Sequence, residues 1–195
     1  DGNQLPYLDR MYQEVKDAKM INSAVSQGNY SFHVFVDRQV AYDEMAALSR
    51  RNGFDVYHWY SGDSSKFTIQ FNQNVRSEKD KREAANKREL FSDVRFRRAM
   101  SLAIDRQAIV DALYAGIGTP AQNMPRKESL FYDAEALNKY IEHDPERANE
   151  LLDEAGYTNR DAEGFRTFKD GSKMTIIFTI TRPTNEGLAR FVIND

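Results

Sequence analysis

"FSDVRFRRAMSLAIDRQAIVDALYAG", residues 91–116, is the most organised stretch of this 195-residue chain. Arg95, Arg97 and Arg98 lie beside an apolar series, so it reads either as a basic helix gripping an anion or as a packed helix with a wet back. Spacing separates the two. Over residues 92–104, Phe96, Ala99, Met100, Ala103 and Ile104 fall at i, i+3, i+4, i+7 and i+8, one continuous apolar face. Glu89, Asp93 and Asp105 stand near enough to neutralise much of the positive charge. The pattern predicts a helix packed on one side and salt-bridged on the other, with Arg95 and Arg98 paired to local carboxylates.

Working outward, Ser92 or Asp93 caps this helix, and Asp105 caps a second one that ends at Gly116. "GIGTPAQNMPR", residues 116–126, is a loop rich in glycine and proline. Asp144-Pro145 then opens the clearest helix: Asp as N-cap, Pro at N1, and Ala148, Leu151, Leu152 and Ala155 along one face, with Gly156 at C′. Beyond it, "MTIIFTIT" at 174–181 is apolar and β-branched enough for a buried strand. On the other side, "VRSEKDKREAANKREL" at 75–90 is almost devoid of apolar residues and suits a solvated helix or linker.

Upstream, the signals alternate. Residues 7–15 form a poorly alternating strand candidate, 17–27 a short helix stopped by Gly28, "YSFHVFV" at 30–36 a strand, and 39–51 a helix stopped by Asn52-Gly53. "FDVYHWY" at 54–60 and "KFTIQFN" at 66–72 flank "SGDSS", which has turn chemistry, so a hairpin is predicted. Strands and helices in this order suggest an α/β or α+β unit ending near Asn74.

Composition bounds the function. A 41% hydrophobic and 12% aromatic content fills a core. A net charge of -3 argues against a dedicated nucleic-acid binder, and the absence of cysteine removes disulfides, thiol catalysis and Cys-rich zinc sites. No run approaches the roughly 18 apolar residues of a membrane span. The chain opens "DGNQLPYLDR" and closes "LARFVIND", so we read it as an internal piece of a longer protein, with any signal peptide outside it.

Catalytic signatures are missing. His33, His58 and His143 lack metal-ligand spacing, and H-E-x-x-H, G-x-S-x-G, a P-loop and G-x-G-x-x-G are all absent. The carboxylates sit in helical pairs such as Asp153-Glu154 or in caps, although an acid/base pair that meets only in three dimensions stays open. We therefore expect no catalytic residues, metal or cofactor. Two competitors remain: a glycan- or peptide-cleaving enzyme of the cell envelope, and a nucleic-acid module built on Arg76–Arg98. In "VYHWY", Trp59 is either core or a stacking platform for a sugar, peptide side chain or base.

The motifs in sequence resemble a family. "LFSDVRFRRAMSLAIDRQAIVDALYAGIGTPA" is similar to the signature of the family 5 extracellular solute-binding proteins, the oligopeptide- and dipeptide-binding type that serve ABC importers. There, an "FNT" strand leads through a linker to a segment like "P-F-x-D-x-R-V-R-x-A-L-x-x-A-I-D-R-x-x-I". Here "QFNQN" at 70–74 and "FSDVRFRRAMSLAIDRQAI" at 91–109 follow that order with a longer charged insertion. "GNQLPYLDR" and "YIEHDPERANELLDEAGYT" at 140–158 add two more matches. One departure is "AVSQGNYSF" where the family has "A-L-x-A-G-E-I-D"; Gly28 is kept and the acidic pair is replaced.

The resemblance implies an α/β fold, a fragment of a two-lobed type II periplasmic-binding-protein fold with mixed sheets flanked by helices. Residues 1–74 would be a middle piece of lobe I, 75–91 a charged linker or hinge insertion, and 92–195 the N-terminal part of the second lobe. It implies a periplasmic or extracellular receptor, associated with the cell envelope, that hands a solute to an ABC permease. Peptide is the first expectation for the solute and oligosaccharide the second; nucleic acid is not expected. The expected ligand-facing residues are Asn72, Gln73, Gln122 and Asn123, with Trp59 as a further candidate; each amide can instead satisfy loop backbone.

Overall fold

The computed structural model describes residues 2, 4–33, 42–57, 65, 67–77, 79–114, 116, 118–180, 187, 189, 190 and 192. It divides into two compact units, Asp1–Trp59 and Tyr60–Asp195.

In the first unit, α1 (Ala18–Ser26) packs on α2 (Tyr42–Asn52). Gly28, at φ 74°, ends α1 in the left-handed conformation: its N–H donates to Val25 O and the Asn29 N–H to Ala24 O. The predicted strand at 7–15 makes no ladder, and Tyr7, Leu8, Met11, Tyr12 and Val15 are exposed. Glu14 holds the segment's end, accepting from the Tyr30 hydroxyl at 3.1 Å and pairing with Lys16 at 2.6 Å. The candidate strand at 30–36 and the hairpin over 54–72 lie partly outside the described residues.

The second unit is built on helices. The charged stretch folds as α3 (Lys81–Ser92), capped by Asp80, which accepts from the Glu83 N–H. Its cations are mostly occupied: Arg82 bonds Asp170, Lys87 pairs with Glu83, and Arg88 donates to Val75 O. Asp93 then turns the chain. Its N–H donates back to Glu89 O and Leu90 O, ending α3, while its carboxylate accepts from the Arg95 N–H and opens α4 (Val94–Leu102). The same carboxylate takes Nε and Nη2 of Arg95, whose Nη1 donates to Glu154 O.

α4 runs against α7 (Pro145–Glu154). The expected α4 face is present, with one shift: Phe96, Ala99 and Leu102 are fully buried, while Met100, Ala103 and Ile104 are half-buried. The difference arises where the helix ends, because Asp144 N–H donates to Leu102 O and brings the start of α7 over that residue. α7 buries Ala148 and Leu151 as its spacing predicts, with Asp144 as N-cap and Pro145 in the first turn. It ends in a Schellman motif: Gly156, at φ 90°, donates to Asp153 O, and Tyr157 donates to Leu152 O. A Cβ at Gly156 would meet Lys169 Cε at 3.2 Å, a contact the flexible lysine can relieve, so the positive φ is what favours glycine there.

α5 (Arg106–Tyr114) starts at Asp105, which accepts from the Ala108 N–H; the short α6 (Ala134–Leu137), unanticipated from sequence, is capped by Asp133. After α7, two tight turns bring Arg160 opposite Arg166 and Thr167 opposite Lys173. Arg166 locks these turns to α7, donating to the Asp153 carboxylate, Tyr157 O and Asn149 Oδ1. The main core gathers Leu90, Phe91, Phe96, Ala155, Tyr157 and Phe168, with Phe71, Met174 and Ile176 against it.

Substitutions at three positions test this description. Phe96, only 2% exposed, is expected to cost about 3–5 kcal/mol on Phe96→Ala in urea unfolding of the full-length protein. Phe131→Ala, at 80% exposure, should change stability by less than about 0.5 kcal/mol. Asp93→Ala is expected to cost about 1–2 kcal/mol for the lost cap. The Arg95 hydrogen bonds hold the Asp93 carboxyl below its ordinary value of 3.8, despite opposing desolvation. Its charge therefore stabilises the fold above that value, and the contribution fades as pH falls through the lower, folded value. The stability gap between wild type and Asp93→Asn should thus be widest at neutral pH and close in acid, read by unfolding at a series of pH values.

Candidate functional site

The stretch that looked like a cationic hand is occupied. Arg95 is bound to Asp93 as expected, and Arg97 donates to Phe91 O at 2.8 Å. Arg98 lies over the Tyr140 ring, 4.8 Å from its centroid, rather than against the carboxylate that its spacing suggested. A guanidinium over an aromatic face is stabilised without an acid partner, and Tyr140 comes from a loop distant in sequence. This face has the character of scaffold.

The segment before α3 borders a cavity of about 590 Å³. Two extended segments line it, 67–72 and 176–180. In the first, Phe67, Ile69 and Phe71 are half-buried while Thr68, Gln70 and Asn72 are exposed, the period of a strand with one packed face. In the second, Ile176 and Phe178 are half-buried and Ile177 and Thr179 exposed. No backbone hydrogen bond joins the two among the described residues. Phe71 is fixed by aromatic contacts, its ring 5.3 Å from that of Phe96, edge to face, and 5.6 Å from that of Phe91. Lys87 reaches the cavity wall with its side chain 12% exposed, its ammonium held by Glu83 at 2.5 Å. The cavity combines apolar walls with amide and hydroxyl groups, which suits a solute carrying both.

The amides expected to face a ligand have different surroundings. Asn72 lines the cavity, is exposed, and accepts from the Asn74 N–H at 3.0 Å through Oδ1. That bond closes a local turn through Oδ1. Gln73, next to it, is exposed on the turn. Gln122 is half-buried and bonded to Ser101, Lys139 O and Tyr140 O; Asn123 is exposed. Of the four, Asn72 alone is part of the cavity lining. Trp59 lies outside the described residues. Among these no group of His, Asp or Glu is arranged to hold a metal, and no helix is long and apolar enough to cross a membrane.

Sequence reading overlooked Ser101 and Arg106. Ser101 sits on the polar side of α4, where a hydroxyl reads as solvent-facing, yet its Oγ meets Arg106, Gln122 and Tyr140 O. Burial draws the Arg106 guanidinium below its usual value, with Glu142 opposing from a distance. The only available signal was the polar pair Ser101 and Arg106 bracketing "LAID", too common a pattern to single out.

Comparison with known proteins agrees with the motif order. The sequence profile described as bacterial extracellular solute-binding proteins, family 5, middle region, matches residues 2–195. A probable ABC transporter-binding protein of Deinococcus radiodurans is 29% identical over 180 residues, 89% of this chain and 28% of that protein. The heme-binding protein A of Haemophilus influenzae is 40% identical over 77 residues, 40% of this chain and 13% of that protein. The oligopeptide-binding protein AppA of Bacillus subtilis is 33% identical over 101 residues, 52% of this chain and 18% of that protein. Among solved structures, the oligopeptide-binding protein OppA superposes with a TM-score of 0.52 at 28% identity, covering 81% of this chain and 25% of that one. The chain thus spans less than a third of the length of these relatives. The structural likeness supports the type II binding-protein fold implied by the motifs. With the family profile matching nearly every residue, the chain belongs to the bacterial extracellular solute-binding proteins of family 5.

Proposed function

We propose that this chain forms part of an extracytoplasmic receptor that binds a peptide and delivers it to an ABC permease, without chemical turnover. The family match over residues 2–195 carries this reading. Peptide stands ahead of oligosaccharide because AppA and OppA are named for oligopeptides, while no relative cited is named for a sugar. The mixed character of the cavity fits the same solute class: Phe67, Ile69 and Phe178 offer apolar contact, and Asn72 and Thr68 offer hydrogen bonds.

In this reading residues 1–74 contribute to lobe I, residues 75–91 to the passage between lobes, and residues 92–195 to the second lobe, the lobes being completed as mixed sheet flanked by helices. Asn72 and Gln73, the loop carrying Gln122 and Asn123, and Trp59 face the solute. Affinity is coupled to closure of the lobes. The site of action is outside the cytoplasmic membrane.

A thermal-shift screen of the full-length protein against short peptides, oligosaccharides and heme tests the reading. Peptide at about 100 times its Kd should stabilise the protein by about 2.7 kcal/mol and raise Tm visibly. Recovery of the peptide unchanged is expected; its cleavage would favour the enzyme reading. Stabilisation by a sugar or heme but by no peptide would overturn the proposed ligand class. Asn72→Ala should weaken peptide binding about tenfold, roughly one lost hydrogen bond.

A further inference from the structure

Gln122 uses its amide inside the protein. Nε2 donates to Ser101 Oγ at 2.9 Å and Lys139 O at 2.8 Å, with Tyr140 O at a longer 3.4 Å. Two carbonyl oxygens at one end of the carboxamide require that end to be the NH2, since an amide oxygen there would face like dipoles. The Gln122 backbone N–H also donates to Leu137 O at 2.9 Å, so main chain and side chain are tied to the same turn.

Ser101 is the hub of the arrangement. Its hydroxyl donates to Tyr140 O at 2.7 Å and accepts from Arg106 Nη2 at 2.8 Å and Gln122 Nε2 at 2.9 Å. One donor and two lone pairs are the whole capacity of a hydroxyl, and all three are in use. Arg106 Nη1 holds Ser101 O at 2.7 Å as well, joining the end of α4 to the start of α5. Tyr140 sits at φ 56°, a left-handed conformation that costs energy in a residue with a Cβ. The hydroxyl on its carbonyl and Arg98 over its ring hold it there.

We propose that this latch fixes the shape of the loop at 119–125, with Ser101 and Gln122 as positioning residues. The proposal rests on the reading of this loop as ligand-facing. A positioning role predicts faster local opening when the latch is cut, whereas a direct contact predicts lost affinity with the loop unchanged.

The test uses the full-length protein and two readouts: hydrogen exchange at 119–125 without solute, and calorimetry with a mixture of tri-, tetra- and pentapeptides. Ser101→Ala should speed exchange at 119–125 by about tenfold, leave the 159–168 turns unchanged, and weaken peptide binding about tenfold. Ser101→Thr retains the hydroxyl and should restore both. Gln122→Met keeps the length without the amide and should give the same exchange signature, so one misfolded variant does not leave the matter open. Unchanged exchange in either folded variant overturns the latch. Faster exchange with unchanged peptide affinity overturns the positioning role. If the unsubstituted protein binds none of the peptides, the peptide reading fails separately and exchange still decides the latch.

Discussion

The second unit depends on one non-helical residue, Asp93, between two helices. In an unbroken helix Phe91 and Phe96 would lie roughly 140° apart around the axis and face different neighbours. Because Asp93 closes α3 with its backbone and opens α4 with its carboxylate, the chain turns between them. The two rings come within 5.9 Å of each other and both meet Phe71. A break in the helix thus creates the core, and that core carries the segment leading into the cavity. Arg95 closes the corner by bonding Asp93 and reaching Glu154 O at the end of α7.

Local signals were readable because their partners are near in sequence. Asp105, Asp144-Pro145 and Gly156 each act within one helical turn, and each is found in its expected role. The α4 face was readable for the same reason, apart from Leu102, which is buried by the approach of Asp144 from far along the chain. The strand candidates are a different case. Residues 67–72 and 174–180 have the alternation and composition of strands, but a strand is completed by a ladder partner that composition does not name. Their backbones make no ladder among the described residues, so propensity is present without pairing.

The arginines show how charge is misread in one dimension. Three cations in four residues look like a binding patch, yet one is held by a carboxylate, one by a carbonyl and one by an aromatic face. Only the first could be foreseen, because a backbone carbonyl six residues back carries no sequence signal and Tyr140 lies far along the chain. Net charge at -3 counts the acidic partners without needing to know where they sit.

Amides pose the same difficulty at the candidate site. Asn72 and Gln122 carry the same functional group on loops of similar composition, and sequence assigns them the same potential. Geometry separates them: the oxygen of exposed Asn72 closes its own turn, whereas half-buried Gln122 commits both amide hydrogens to neighbours. A recognition loop needs both kinds. An exposed amide can bond a solute only if the loop holds it still, since each group immobilised on binding costs affinity. Burying one amide to fix the loop pays that entropy during folding, before any solute arrives. In the proposed reading Gln122 is the buried amide that braces the loop, through its bonds to Ser101 and Lys139 O.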